Sequence, residues 1–313
     1  MIFTREDLAH AISILLLGDL HCGSMFGLYP PDFPLSTGGK ASLNVAQEFL
    51  QECWLDFLAR LPKRLDYVVF TGDVTEGKQY KDDGLGVIEP DPECQVNAAV
   101  ALCRPITERA EEVYVLRGSR YHTGYGGRCE RSFGRQLEAQ ESIPGNHTHP
   151  WLLLDVGNGV TFDIAHHQSV TIVNRSMPLE RELRFAQMIE GNFRPDADCV
   201  VRAHNHSWLW MNIDGRIAAS IPAWKFSDDF VRMSKTPNRY VSRLFGAVLV
   251  YAFPWLKTPE VRDREGFITK EFLSYPTPEL KAVHGGVEWQ DRSPDKPPNR
   301  NSPLTNLVRK LRR

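Results

Sequence analysis

Apolar residues fall in short runs along this chain, and most runs are closed by a polar or glycine-containing segment. Ile12 to Leu17, Tyr67 to Thr71 and Val113 to Leu116 are continuous runs of the kind found in strands covered on both faces, so they predict buried strands. Between the first two, Val45, Phe49, Cys53 or Trp54, and Phe57 recur at helical spacing and predict a helix with a core-facing stripe. Further helices are expected over about Gln95 to Ala110 and Glu130 to Gln140. Strands are expected at Trp151 to Val156, Val160 to Ala165, Cys199 to Ala203, Trp208 to Ile213, Ile217 to Ile221 and Gly246 to Tyr251. Asp214-Gly215 is the clearest hairpin turn. The pattern is that of a layered α/β sandwich with a strand-rich second half.

Chemistry sits where the runs stop. Five segments put Asp or His just past an apolar run: GDLHCGS at Gly18 to Ser24, FTGDVTEG at Phe70 to Gly77, LRGSRYHTG at Leu116 to Gly124, IAHHQ at Ile164 to Gln168, and RAHNHSW at Arg202 to Trp208. Asp19 and His21 are one residue apart, so at a strand end both reach one ion, and His204 and His206 repeat the spacing. Mixed carboxylate and imidazole donors suit Mn²⁺, Fe²⁺ or Fe³⁺, Zn²⁺, Co²⁺ or Ni²⁺, whereas Mg²⁺ and Ca²⁺ prefer oxygen alone. The lack of a Cys pair argues against structural zinc. Asp73 ends its run with two carboxylate oxygens and can bridge two ions.

In order and composition these motifs resemble those of the calcineurin-like metallophosphoesterases: DxH, GDxx, GNHD, a strand-end His, then GHxH. The resemblance covers roughly residues 12 to 253. It implies a four-layer α/β/β/α sandwich holding two divalent transition-metal ions, Mn²⁺ above all. Asp19, His21, Asp73 and His206 would hold the first ion, and Asp73, His166 and His204 the second. His166 is preferred over its neighbour His167 because it directly follows the strand. One motif departs from the pattern: in place of GNHD stands Gly118-Ser119-Arg120-Tyr121-His122. Ser119 then takes the position of the usual Asn ligand as a weaker donor, His122 falls near the leaving group, and Arg120 is a candidate phosphate clamp.

The implied activity is hydrolysis of a phosphodiester or phosphomonoester by a metal-activated water, with ions about 3.5–4 Å apart and His122 protonating the leaving oxygen. Alternatives are a nuclease of the same superfamily and a weakly catalytic scaffold with the same fold. For the nuclease, Trp224 beside Lys225 would stack on a base or sugar, or else Trp224 is a core residue. The Lys78 to Pro92 stretch is a candidate border of the cleft, or else a solvated loop, and Tyr121 and Tyr125 flank His122.

Composition narrows the class without choosing a substrate. The 313 residues are 42% hydrophobic and 24% charged, as in an ordinary water-soluble enzyme, and a net charge of −2 provides no global attraction to nucleic acid or acidic membranes. Six cysteines without CxxC spacing predict reduced thiols and a cytoplasmic protein. The run Ile12 to Leu17 is too short to span a membrane and lacks a basic region before it. The expected division is a catalytic domain over 1–255, an extension over 256–290 packed on or beside it, and a tail over 291–313. In the tail, Pro294, Pro297, Pro298 and Pro303 form a linker. Leu304, Leu307, Val308 and Leu311 lie at helical spacing among Arg309, Lys310, Arg312 and Arg313, making a candidate tether to nucleic acid, membrane or another partner.

Overall fold

Strand β1, Ile12–Leu17, has Ile14 to Leu17 wholly buried, and that two-sided burial places it in mid-sheet. It pairs in parallel with β2, Leu65–Phe70, which pairs in parallel with β3, Ala110–Val115. In the computed structural model, which describes residues 3–80, 83–167, 176–189, 197–226, 244–276, 279–283 and 286–290, two five-stranded mixed sheets form the centre. The tail at 291–313 lies outside the described residues.

The second sheet contains β4 (Leu152–Asp155), β5 (Thr161–Ala165), β6 (Cys199–Arg202), β7 (Leu209–Ile213) and β8 (Arg216–Ser220) in the order β4-β5-β6-β8-β7. Its strands β5, β6 and β8 are parallel. The β7–β8 hairpin turns at Asp214 and Gly215, both at positive φ (54° and 80°), as a tight two-residue turn requires. Strand β9, Leu244–Ala252, is longer than its apolar run because it pairs with β1 on one side and with β10, Ile268–Pro276, on the other. The segment beyond 255 thus supplies the edge strand of the first sheet. A hairpin of β11 (Glu279–Val283) and β12 (Gly286–Gln290) follows.

Six helices accompany the sheets among the described residues: α1 (Arg5–His10), α2 (Val45–Arg60), α3 (Pro92–Thr107), α4 (Arg120–Thr123), α5 (Arg128–Gln136) and α6 (Met177–Ile189). Helix α3 begins three residues earlier than its apolar spacing indicates, because Asp91 caps the amides of Glu93 and Cys94 and Pro92 occupies the first turn. Asn44 and Gln47 close a reciprocal capping box on α2, whose Phe49, Trp54 and Phe57 are buried. Helices α3 and α5 lie against β3, and α6 lies against β6 and β8 over Leu179, Leu183, Val200 and Ala218. Residues of both sheets share one core, so the architecture is an α/β/β/α sandwich. All six cysteines are free thiols, and no helix among the described residues is long and apolar enough to cross a membrane.

Candidate metal centre

The parallel strands of both sheets end at one place. Asp19 and His21 follow β1, Asp73 and Glu76 follow β2, Ser119 and His122 follow β3, His166 follows β5, and His204 and His206 follow β6. Backbone hydrogen bonds stitch these loops together: the Asp19 amide donates to Gly72 O (2.8 Å), His21 to Asp73 O (3.1 Å) and Ala203 to His166 O (3.1 Å). Asp19, His21, Asp73, His204 and His206 all sit at positive φ, between 49° and 68°. Non-glycine residues rarely adopt this conformation, and such residues gather where side chains must be aimed. Gly72, at φ 103°, lies so close to Gly118 and the His166 ring that no side chain fits there.

Two groups of donors emerge. Asp19, His21 and His206 form one, with His206 Nε2 3.3 Å and His21 Nε2 3.8 Å from Asp19 Oδ1, and the two Nε2 atoms 3.1 Å apart. The other contains Asp73, His166 and His204: His166 Nε2 is 3.0 Å from Asp73 Oδ2 and 3.2 Å from His204 Nδ1. Asp19, Asp73 and His166 also lie within reach of one another, which joins the groups. Next to the second group, exposed His167 lies close enough to His166 and His204 to share an ion with them. Asp19, Asp73, His21 and His166 form a sealed floor, while the side chains of His206 and His204 are 22% and 34% exposed and form an accessible rim.

The donor set fits metal ions on its own chemistry. Asp19 Oδ1 is sealed from solvent and meets no donor in hydrogen-bonding geometry. His166 gives its Nδ1 proton to Thr71 O (2.8 Å) and His21 gives its own to Glu76 Oε2 (2.7 Å), so both rings turn Nε2 to the centre. Burial would raise the pKa values of Asp19 and Asp73, but neighbouring imidazoles overcome it and hold both well below the usual carboxylate range. Burial likewise works against the His166 imidazolium, yet Asp73 and Asp19 push it up to about 10. A proton is thereby held where a cation is wanted.

Around these donors the LRGSRYHTG loop takes supporting positions. Ser119 donates both its amide (2.7 Å) and its hydroxyl (3.1 and 3.2 Å) to Asp73. His122 donates Nδ1–H to Glu76 O (2.8 Å), and its ring centroid lies 4.5 Å from that of His21. Burial lowers its pKa to about 4, so the resting ring is neutral with Nε2 unprotonated. Arg120 lies exposed over the Tyr125 ring, 5.4 Å from its centroid, and Tyr121 donates to Gln79 Oε1 (2.7 Å). Lys78 and Tyr80 line an open cleft of about 600 Å³ with Thr37, Asp83, Val87 and Ile88.

Two residues near the centre were not expected from the motifs. Glu76 lies within FTGDVTEG itself, three residues past Asp73, where no apolar run marks it. Trp224 and Lys225 do not form a stacking surface: of the two positions open to the tryptophan, the core one is found. Trp224 is fully buried, 4.9 Å from Trp54 between ring centroids, and Lys225 reaches the oxygens of Glu76 at 2.9 and 3.1 Å. The apolar residues of Ile217 to Ala223 continue into the core and draw the tryptophan with them.

No family model matches the chain, and no curated protein does. Among solved structures it is similar to Vps29 from Entamoeba histolytica in complex with Zn²⁺, at 15% identity and a TM-score of 0.38, over 89% of this chain and 97% of that one. It is also similar to an archaeal phosphodiesterase, at 11% identity and a TM-score of 0.35, over 83% of this chain and 99% of that one. A predicted phosphoesterase from Streptococcus pneumoniae TIGR4 matches at 10% identity and a TM-score of 0.31, over 83% and 97%. Likenesses this distant do not bear on activity.

Proposed function

We propose that this chain is a binuclear metal-dependent phosphoesterase. The observation that supports this best is the convergence of Asp19, His21, Asp73, His166, His204 and His206 from loops of both sheets, several in strained backbone conformations. Asp19, His21 and His206 would hold one divalent ion and His166 and His204 the other, with Asp73 available to both. Ions so held supply a polarised phosphoryl oxygen and a water that is nucleophilic near neutral pH. Ser119 steadies Asp73 through two donated hydrogen bonds. His122 is oriented by the Glu76 carbonyl, with Nε2 left to carry a proton to the leaving oxygen. Because the resting ring is neutral, that proton is taken up when the negative charge of a phosphoryl group arrives beside it.

Burial of Trp224 removes one of the two contacts that favour a nuclease, the other being the basic tail, which lies outside the described residues. A small phosphodiester or phosphomonoester is therefore the preferred substrate class, and Mn²⁺ the preferred ion. The test is metal analysis after loading with Mn²⁺, followed by assay of aryl phosphomonoesters and phosphodiesters. About two ions per chain and Mn²⁺-dependent hydrolysis are expected. Folded protein that takes up no ion at millimolar Mn²⁺ overturns the assignment.

A further inference from the structure

Glu76 contributes to a third cluster of ligand-type atoms, with His21 and His122, that on spacing alone would suit a cation. A cation is already there. Lys225 Nζ lies 2.9 Å from Glu76 Oε1 and 3.1 Å from Oε2, and both side chains are only 4% exposed. The remaining capacity of the carboxylate is taken by neighbours: Oε1 accepts from Gln79 Nε2 (2.6 Å) and Oε2 from His21 Nδ1 (2.7 Å). Gln79 is fixed in turn by the Tyr121 hydroxyl.

The backbone that brings Lys225 to this point is held at each step. It follows β8, the parallel strand of the second sheet that provides no ligand. Trp224 N–H donates to Asp19 O (3.0 Å), Lys225 bridges to Gly27, and Phe226 N–H donates to Phe26 O (2.8 Å). Trp224 anchors the segment in the core against Trp54 and Phe57.

We propose that Lys225 is a positioning residue for the metal centre: an internal counter-cation that keeps Glu76 out of metal coordination and commits it to holding the His21 ring with Nε2 toward Asp19 and His206. The inference rests on the binuclear assignment above. A carboxylate with a free oxygen next to a metal-binding His would compete for the ion or swing toward it. One whose oxygens are claimed by Lys225 and Gln79 can only orient the ring. Outer partners of this kind typically change metal affinity by about 10–100-fold.

The experiment is a Co²⁺ titration of the full-length protein followed by visible absorption, which reports both affinity and ligand set. The wild type is compared with Lys225→Met, Glu76→Gln and the double variant. Replacing both members of a buried ion pair with neutral residues of similar size is usually tolerated, so the double variant keeps the question open if a single variant does not fold. About 10–100-fold weaker Co²⁺ binding with an altered absorption band is expected in every folded variant. If the pair acts as a unit, the double variant loses no more than the worse single one. A folded Lys225→Met variant with wild-type affinity and spectrum overturns the role of Lys225, and so does a double variant that loses more than the worse single one. A wild-type protein that binds no Co²⁺ overturns the binuclear assignment itself, so the two failures are distinct.

Discussion

His166 Nε2 stands 3.0 Å from Asp73 Oδ2, a contact that ties the loop after β5 in one sheet to the loop after β2 in the other. Two sheets that share a core still need something to set where their strand ends meet. Here the ends meet through ligand-type atoms, and the same carboxylate also receives two hydrogen bonds from Ser119. Asp73 is thus held from both sheets at once.

That connectivity predicts an unequal pair of variants. Asp73→Asn removes charge from both donor groups and is expected to leave fewer than two ions per chain. Ser119→Ala removes only a hydroxyl donor and is expected to lower metal affinity by about 10–100-fold with the second ion still bound at saturation. Metal analysis alongside Mn²⁺-dependent hydrolysis checks both. Equal losses would mean that Asp73 is not shared.

Metal uptake is also expected to release protons. In the metal-free protein His166 holds a proton to about pH 10, and that proton must leave Nε2 before a metal can bind there. Apparent affinity should therefore rise with pH through the neutral range, by about tenfold per unit for each proton released. Calorimetric titration at pH 7 in buffers of different ionisation enthalpy measures the number directly. Net release of zero would show that His166 is not a ligand.

Much of this arrangement is legible in the sequence because it is made at strand ends. A buried strand announces itself by an unbroken apolar run, and the residue that stops the run is the one delivered to the edge of the sheet. Hence Asp19, Asp73 and His166 can be placed from their runs, and the structure brings them together. Lys225 could not be placed in this way, since only the three-dimensional route of the segment after β8 shows that its ammonium turns inward to Glu76. Strand β10 went unrecognised for a related reason. Ile268–Pro276 buries only Ile268, Leu273 and Tyr275, and the exposed pair Lys270 and Glu271 interrupts the apolar signal, as charged residues do on an edge strand. The early start of α3 lies in Asp91 and Pro92, which carry capping chemistry and no apolar periodicity.

His122 is expected to matter in proportion to the leaving group. His122→Ala should slow hydrolysis of esters with poor leaving groups by about 10²–10⁴-fold, and that of activated aryl esters far less. Metal content should not change, because in this arrangement the ring is held by the Glu76 carbonyl. Loss of an ion in the variant would make His122 a ligand instead.

A last prediction concerns stability, through a carboxyl group close behind the centre. Glu130 on α5 is fully buried, and neither of its side-chain oxygens has a hydrogen-bond partner. Burial, reinforced by the charge of Asp73, raises its pKa to about 8. In the unfolded chain the group titrates near 4.5. Between these values the native state holds a proton that the unfolded state has lost, so native stability falls as pH rises, by up to about 1.4 kcal/mol per pH unit. Glu130→Gln keeps the shape and removes the titration. Metal-free wild type should therefore lose stability relative to Glu130→Gln from about pH 5 to pH 8, and the gap should stop widening above that. Denaturant unfolding at several pH values measures it, and parallel curves for the two proteins would mean that Glu130 is ionised and partnered in the native state.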